Sequence, residues 1–386
     1  MSEWKEYKFS DFVNINPPVR LLKGEQYSFV EMKDLTDGQR HCYPNTEREL
    51  SGGARFNEGD TLFARITPCL ENGKISQVKG LKNGSGFGST EFFIFRGKDG
   101  VSDNDFVYYL SRWDEIRAFA EMNFDGTSGR QRVPKDAFNN LFLNLPPLPE
   151  QKSIASVLSS LDDKIDLLHR QNKTLESLAE TLFRQWFVEE AEEGWETKAI
   201  EDLIIFDPRE KVSSNIEYTL FDMKCLSDSS MAISEGIKRT VNSGSSFRNG
   251  DTLLAKITPC LENGKTGFVM NLEEDELARG STEFVVMRAK EGTSPYFVYC
   301  LTRYSDFRNT AILSMTGTSG RQRVQTVVLK GYEIKYSKKA MDRFHSTCHP
   351  HFIKIRQNQI QIRTLTSLRD TLLPKLMSGE VRGKEN

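Results

Sequence analysis

EQKSIASVLSSLDDKIDLLHRQNKTLESLAETLFRQWFV, residues 150–188, is the stretch from which the fold follows. Its apolar positions recur at alternating steps of three and four, so that Leu158, Leu161, Ile165, Leu168, Asn172, Leu175, Ala179, Leu182 and Trp186 occupy successive a and d positions of a heptad. The stripe is too narrow for a helix buried all round and too regular for an ordinary surface helix, so it asks for a partner helix. The chain holds a second stripe. Ile355, Ile362, Leu365, Leu372 and Leu376 each stand 190 residues after Ile165, Asn172, Leu175, Leu182 and Trp186. Either stripe alone could pack on its own domain, but two stripes at equivalent places in a duplicated chain favour pairing. Charge favours it too. Residues 150–193 carry ten Asp/Glu against five Lys/Arg, and residues 350–386 carry seven Lys/Arg against three Asp/Glu. Each exposed pair would add only ~0.2–1 kcal/mol.

The duplication is explicit in the flanking sequence. Residues 4–145 recur at 195–336 with a nearly constant offset of 191. FNEGDTLFARITPCLENGK, Phe56 to Lys74, faces FRNGDTLLAKITPCLENGK, Phe247 to Lys265, with 15 of 19 positions identical. GSTEF at 88–92 faces GSTEF at 280–284, and GTSGRQRV at 126–133 faces GTSGRQRV at 317–324. A period this long is not a solenoid repeat, which runs ~20–50 residues, so the chain is two copies of a domain plus a helix. Two such units packed about a pseudo-two-fold axis would set the helices antiparallel.

Within each copy, TLFARI, KISQV and EFFIFR, like TLLAKI, KTGFVM and EFVVMR, have strand composition bounded by Gly, Asn and Pro. NDFVYYLSRWDEIRAFAEM and PYFVYCLTRYSDFRNTAIL have helical periodicity, with Phe106, Leu110 and Trp113, and Phe297, Leu301 and Tyr304, on their apolar faces. LPPLPEQ at 145–151 ends a strand and opens the long helix, with Pro149 in the first turn. The expected fold class is α+β: two similar mixed α/β domains, 1–148 and 194–340, joined by two long helices, 149–193 and 341–386, that form an antiparallel coiled coil with pseudo-two-fold symmetry.

At 386 residues, 38% hydrophobic and 10% aromatic, the chain can bury ordinary cores. No run approaches the ~18 consecutive apolar residues of a membrane span, and the N-terminus MSEWKEYKFSDF is polar, so no membrane partner and a cytoplasmic location are expected. Six cysteines without a C-x-x-C pair read as reduced thiols. The net charge of −2 leaves nucleic acid open, because duplex binding needs local positive charge rather than a positive total.

Catalytic signatures appear only in fragments. Asn16-Pro17-Pro18 lacks the aromatic that would stack a flipped base and reads as a turn; NGSGFGS at 83–89 lacks the strand-glycine-helix order of a phosphate loop; no Walker A sequence is present. Asp11 with Glu31-Met32-Lys33, repeated as Asp202 with Asp222-Met223-Lys224, resembles the carboxylates and lysine of a metal-dependent nuclease. Met32 and Met223 fit equally well as core positions on a strand whose flanking charges face water. His345, Cys348, His349 and His351 look like zinc ligands, but they crowd around Pro350 and have no counterpart in the first copy, so no metal site is assigned.

What remains is binding chemistry. In GTSGRQRV, two glycines permit a tight turn, Thr127 and Ser128 can donate to phosphate oxygens, Arg130 and Arg132 project to one side of an extended segment, and Gln131 can reach a base edge. Thr318, Ser319, Arg321, Gln322 and Arg323 repeat the set. A hairpin turn whose arginines pair with acids of the same domain is the competing explanation. TPCLENGK adds Asn72 with Lys74, and Asn263 with Lys265, in a loop that also fits an Asn-Gly turn.

LPPLPEQKSIASVLSSLDDKIDLLHRQNKTLE, with the repeated TPCLENGK, GSTEF and GTSGRQRV blocks and two variable halves, resembles the specificity (S) subunit of type I restriction-modification systems. The resemblance implies two target recognition domains, each reading one half of a split site in double-stranded DNA, held by conserved helices that dock two methyltransferase subunits, with restriction/translocase subunits outside. It implies no catalysis and no cofactor in this chain, S-adenosylmethionine, ATP and Mg being held by the partners. A stand-alone nuclease with duplicated sites and a structural coiled-coil adaptor are the alternatives.

The duplication adds an inference of its own. Residues identical in both copies cannot distinguish two different half-sites, so the repeated blocks should position the backbone or build the fold, and base reading should fall to what differs. The largest differences lie at 36–55 against 227–246 and at 76–87 against 267–279. Gln39, Arg40, Arg48, Lys79, Lys82, Lys238, Arg239 and Arg279 are the candidate base readers, and exchange of 227–246 should alter one half of the recognised site only.

Overall fold

The computed structural model describes residues 3–382 except 128, 214, 242 and 319. The chain divides into two units, Met1–Leu167 with Ile362–Asn386, and Leu168–Gln361.

In the first unit, strands Val13–Ile15, Phe92–Gly97, Thr61–Ala64, Ile75–Val78 and His41–Cys42 form a sheet in that order, antiparallel except for the last pair. Thr46–Glu49, Gln26–Val30, Ser85–Gly88 and Ala54–Asn57 form a second sheet, with the central two parallel. Period-two alternation divides the inner strands between two cores. Phe63, Phe93 and Phe95 face the helical layer with Phe106 and Leu110, while Leu62, Phe92 and Ile94 pack with Val30 and Phe56 of the second sheet. Strands buried on both faces read as continuous apolar runs, which is why TLFA and FFIF show no alternation.

The second unit repeats the plan. Ile204–Phe206, Phe284–Ala289, Thr252–Ala255 and Thr266–Phe268 form one sheet, and Ile237–Thr240, Glu217–Phe221, Ala278–Gly280 and Ser245–Phe247 the other. Leu254, Val285 and Met287 face the helical core; Leu253, Phe284 and Val286 face the second.

The helical periodicity at 104–122 and 295–313 resolves into two helices in each copy, Asn104–Arg112 with Asp114–Met122 and Pro295–Arg303 with Ser305–Leu313. The break falls on one extended residue, Trp113 (ψ 134°) and Tyr304 (ψ 128°). Neither Gly nor Pro marks it. Each aromatic packs against its core from the corner, a tertiary demand that periodicity does not report.

The long helices run Leu148–Arg184, continuing in a π-helical turn Gln185–Glu189, and Lys338–Met377. Pro149 lies in the first turn as expected. Within the first unit Glu150 meets Arg382 and Asp162 meets Arg369. Within the second, Asn172 meets Asn358 and Trp186 meets Phe344. Later residues of one helix face earlier residues of the other, so the pairing in each unit is antiparallel.

The seam itself needs correction. Leu158, Ile165, Leu168 and Ile355 are buried, whereas Leu161, Leu175, Leu182, Ile362, Leu365 and Leu372 are half-buried at its flanks. Burial follows 158, 162, 165, 168, 172, 176, 179, 183 and 187, close to the ~3.6 residues per turn of an unsupercoiled helix. The helix face is shared between the partner helix and the sheet domain, which brings Asp162 and Glu176 inside. Asp162 accepts from the Tyr109 hydroxyl, and Glu176 from Tyr299 and the Met231 amide. No helix among the described residues is long and apolar enough to cross a membrane.

Candidate nucleic-acid interface

The three repeated blocks converge in each unit. In the first, Asp125 and Arg132 exchange backbone hydrogen bonds at 3.0 and 2.8 Å, closing the GTSGRQRV turn over Gly126 and Gly129, both at positive φ. Its base is fixed to TPCLENGK by Thr67 N–H to Gln131 O (3.0 Å) and to the preceding strand by Val133 N–H to Arg65 O (2.8 Å). Its Arg132 forks onto Glu91 of GSTEF, the shortest contact 2.8 Å. The second unit matches each contact: Thr316 with Arg323, Thr258 with Gln322, Val324 with Lys256, and Arg323 on Glu283 at 2.6 Å. Hydrogen bonding from Arg323 holds Glu283 below the usual carboxylate range.

This geometry separates the paired arginines that the sequence presented as equals. Arg132 and Arg323 are the intradomain partners of an acid, so the hairpin explanation holds for them. Arg130 and Arg321 are exposed beside Thr127 and Thr318, with no side-chain partner among the described residues. Gln131 and Gln322 are half-buried. Ser128 and Ser319 lie outside the described residues.

Lys74 and Lys265 are corrected. Their ammonium groups donate to the Leu35 and Met223 carbonyls and stitch TPCLENGK onto the neighbouring 3₁₀ turn instead of reaching outward. Asn72 and Asn263 stay exposed on the turn. Gly73 is required there, since at φ 66° a Cβ would sit 2.2 Å from the Asp37 carboxylate.

Among the candidate base readers, two are removed by burial. Arg40, 6% exposed, is held by Asp105 (2.7 Å) and the Gln77 side chain (2.8 Å). Arg279, 5% exposed, donates to the Ser246 hydroxyl. Arg40 is consumed by its acidic partner, whereas Arg279, its Nε without a hydrogen-bond partner among the described residues, is withdrawn from the surface by burial. Gln39, Lys79, Lys238 and Arg239 are exposed; Lys82 pairs with Glu47 and Arg48 with Glu31, each at 2.7 Å on the surface. Arg48 and Arg239 occupy the same place, an edge strand exposed at all four residues, Thr46–Glu49 and Ile237–Thr240. Three cations not marked in the repeated blocks and variable loops singled out above, or lying outside them, Arg55, Arg65 and Lys135, line a cavity beside Thr90 of GSTEF. Each differs from its counterpart, Ser246, Lys256 or Thr326, and that difference is the signal that could have found them.

The nuclease pattern is not assembled. Hydrogen bonds from Lys33 and Arg48 hold Glu31 below the ordinary carboxylate range, and Asp222 accepts from the Lys224 amide as a cap. Asp11 and Asp202 are exposed on single helical turns. Among the described residues no group of three or more His, Cys, Asp or Glu could hold a metal ion. The histidine cluster divides likewise: His345 contacts Ser294 at 3.2 Å, His349 contacts the Tyr296 hydroxyl at 2.7 Å, and the Cys348 thiol, pushed up to about 12 by burial, points into the core.

Residues 1–177 match the family model of the type I restriction modification DNA specificity domain. The type I restriction enzyme EcoEI specificity subunit of Escherichia coli is 31% identical over 205 residues, covering 50% of this chain and 34% of that protein. The MjaIX specificity subunit of Methanocaldococcus jannaschii is 26% identical over 323 residues, covering 75% of this chain and 71% of its own. The chain thus spans about a third of the length of the Escherichia coli relative, at 34%. The crystal structure of the type I restriction-modification S subunit from M. genitalium shares the fold across 97% of this chain and 96% of that one, with a TM-score of 0.53 at 14% identity. The duplicated domain, its paired long helices and these likenesses point the same way: the first copy matches the type I restriction modification DNA specificity domain, and the chain is similar to type I restriction enzyme specificity subunits.

Proposed function

We propose that the chain is the DNA-reading subunit of a type I restriction-modification assembly, each unit reading one half of a bipartite site. The observation that carries this reading is the exposed edge strand found at the same place in both units, Thr46–Glu49 and Ile237–Thr240, whose residues differ at every position but the shared Arg48 and Arg239. A strand of this kind can enter a major groove, where Lys238 and Arg239 would meet base edges. Arg130 and Arg321, identical in the two copies, would hold backbone phosphates and set the register. The long helices would dock two methyltransferase subunits, with restriction/translocase subunits added outside. S-adenosylmethionine, ATP and Mg would belong to those partners, and the chain itself would do no chemistry on DNA in the cytoplasm.

The test is Lys238→Ala with Arg239→Ala in cells carrying the whole system, read by mapping modified bases. One half of the site should relax and the other stay unchanged, with a discrimination loss of about five- to 150-fold for a lost bidentate contact worth ~1–3 kcal/mol. Change in both halves, or in neither, would show that base reading lies elsewhere.

A further inference from the structure

In the first unit a cavity of about 490 Å³ opens between the turn at Pro17 and Pro18, the strand before Phe56, and the segment that follows GTSGRQRV. Arg55, Arg65 and Lys135 line it, and among the described residues no Asp or Glu does. Two other cavities of the same unit are different: one is lined by Asp103, Asp105 and Asp163 with a single Lys152, another by Glu58, Asp60, Asp99 and Asp103 with Arg96 and Lys152. The cations are also poorly served by the protein. Among the described residues Arg55 reaches only the Val19 carbonyl, at 3.4 Å; Lys135 is exposed; and the Arg65 Nε is buried with no hydrogen-bond partner among them, its guanidinium lying 4.9 Å from the centre of the Phe93 ring. Three like charges gathered without a counterion raise the electrostatic energy of the empty domain, and a bound anion would lower it.

The anion must come to a surface next to the GTSGRQRV turn, because Arg65 O is the acceptor that fixes Val133 and Lys135 follows two residues later. Phe92 and the two prolines give the cavity an apolar wall against which a sugar or base could rest. A phosphodiester carries both the charge and such a neighbour. We infer that this cavity grips a backbone phosphate of the duplex beside the half-site read by the first unit. The inference rests on the DNA-reading role proposed above.

The second unit lacks the same grip. Its counterparts of Arg55, Arg65 and Lys135 are Ser246, Lys256 and Thr326, and Glu210 stands where the first unit has Val19, paired with Arg248 and Arg288 at 2.9 and 2.7 Å. Its added cations are Arg209, in place of Pro18, and Arg248, in place of Asn57 and spent on Glu210. The two units should therefore hold the DNA backbone with unequal strength.

The experiment uses the assembly purified through a tag on this chain, with a labelled random-sequence duplex titrated over a range of salt concentrations. Arg55→Ala with Lys135→Ala should lower the slope of log affinity against log salt by about one, at ~0.9 per phosphate contact. Between ~50 and ~200 mM salt that difference amounts to roughly a 3.5-fold change. Thr326→Ala, at the second unit's counterpart of Lys135, should leave the slope where it was. The mapped modification site should be unchanged in both variants. An unaltered slope in the Arg55/Lys135 variant, with thermal unfolding like the parent's, overturns the inference, as does a changed base preference in one half-site, which would make the cavity a base reader. If the parent assembly itself shows no salt-dependent DNA binding, it is the DNA-reading role that falls.

Discussion

Arg369→Met should unfold the first unit at much lower temperature, although residue 369 lies in a helix far along the chain from that unit's sheets. Arg369 and Asp162 are each 3% exposed. Their guanidinium and carboxylate meet at 2.7 Å, the same guanidinium nitrogen donates to the Gly38 carbonyl at 2.7 Å, and the Tyr109 hydroxyl donates to the other oxygen of Asp162 at 2.7 Å. Deleting the guanidinium leaves a buried carboxylate with one hydrogen bond and a carbonyl with none. Breaking a buried pair from one side costs about 3–5 kcal/mol, because the charge left behind is neither solvated nor paired. In a unit of this size each kcal/mol moves the midpoint by ~2–4 °C, so a fall of roughly 6–20 °C is expected by calorimetry. Asp162→Asn added to Arg369→Met should recover most of the loss, since the amide oxygen can still accept from Tyr109 and no buried charge remains. A shift below ~2 °C for the single substitution, or a double variant as unstable as the single, would refute this account of the buried pair.

Acid should weaken the same unit through His41. Burial first, then the neighbouring Arg40 charge, lowers its pKa from the ordinary 6.5 to about 4. The folded state therefore favours the neutral ring: its contribution is full above pH 6.5 and is lost as pH falls toward the folded value, with about 2 kcal/mol gone between pH 7 and pH 5. His41→Phe should flatten that part of the stability-pH curve in denaturant titrations, and an unchanged slope would show that His41 is not its source. Arg40→Ala should cost about 1–3 kcal/mol by leaving the buried Gln77 side-chain oxygen without its donor, while the half-exposed Asp105 keeps its hydrogen bond from the Gln77 amide. Normal thermal stability combined with altered DNA preference would return Arg40 to the base readers.

Much of this protein is legible along the chain. The offset of 191 announces two copies of one domain, the three- and four-residue spacing announces the long helices, and the apolar runs TLFA, TLLA and FFIF announce strands buried on both faces. These are local periodicities, and local periodicity is what helices and strands impose on a sequence. The break at Trp113 is invisible at that level, because an aromatic residue is as good a helix continuation as a corner until the core claims it. The fate of each cation is equally hidden. Arg130 and Arg132 differ only in that Glu91, 41 residues away, is folded against the second of them. Arg369 finds Asp162 at a separation of 207 residues, and Arg55, Arg65 and Lys135 become neighbours only when three segments close around one cavity. Sequence determined the repeat, the elements and the supply of charge; the tertiary structure decided which charges are spent inside the protein and which are left for a ligand, because a counterion is chosen by proximity in space and the chain records only order.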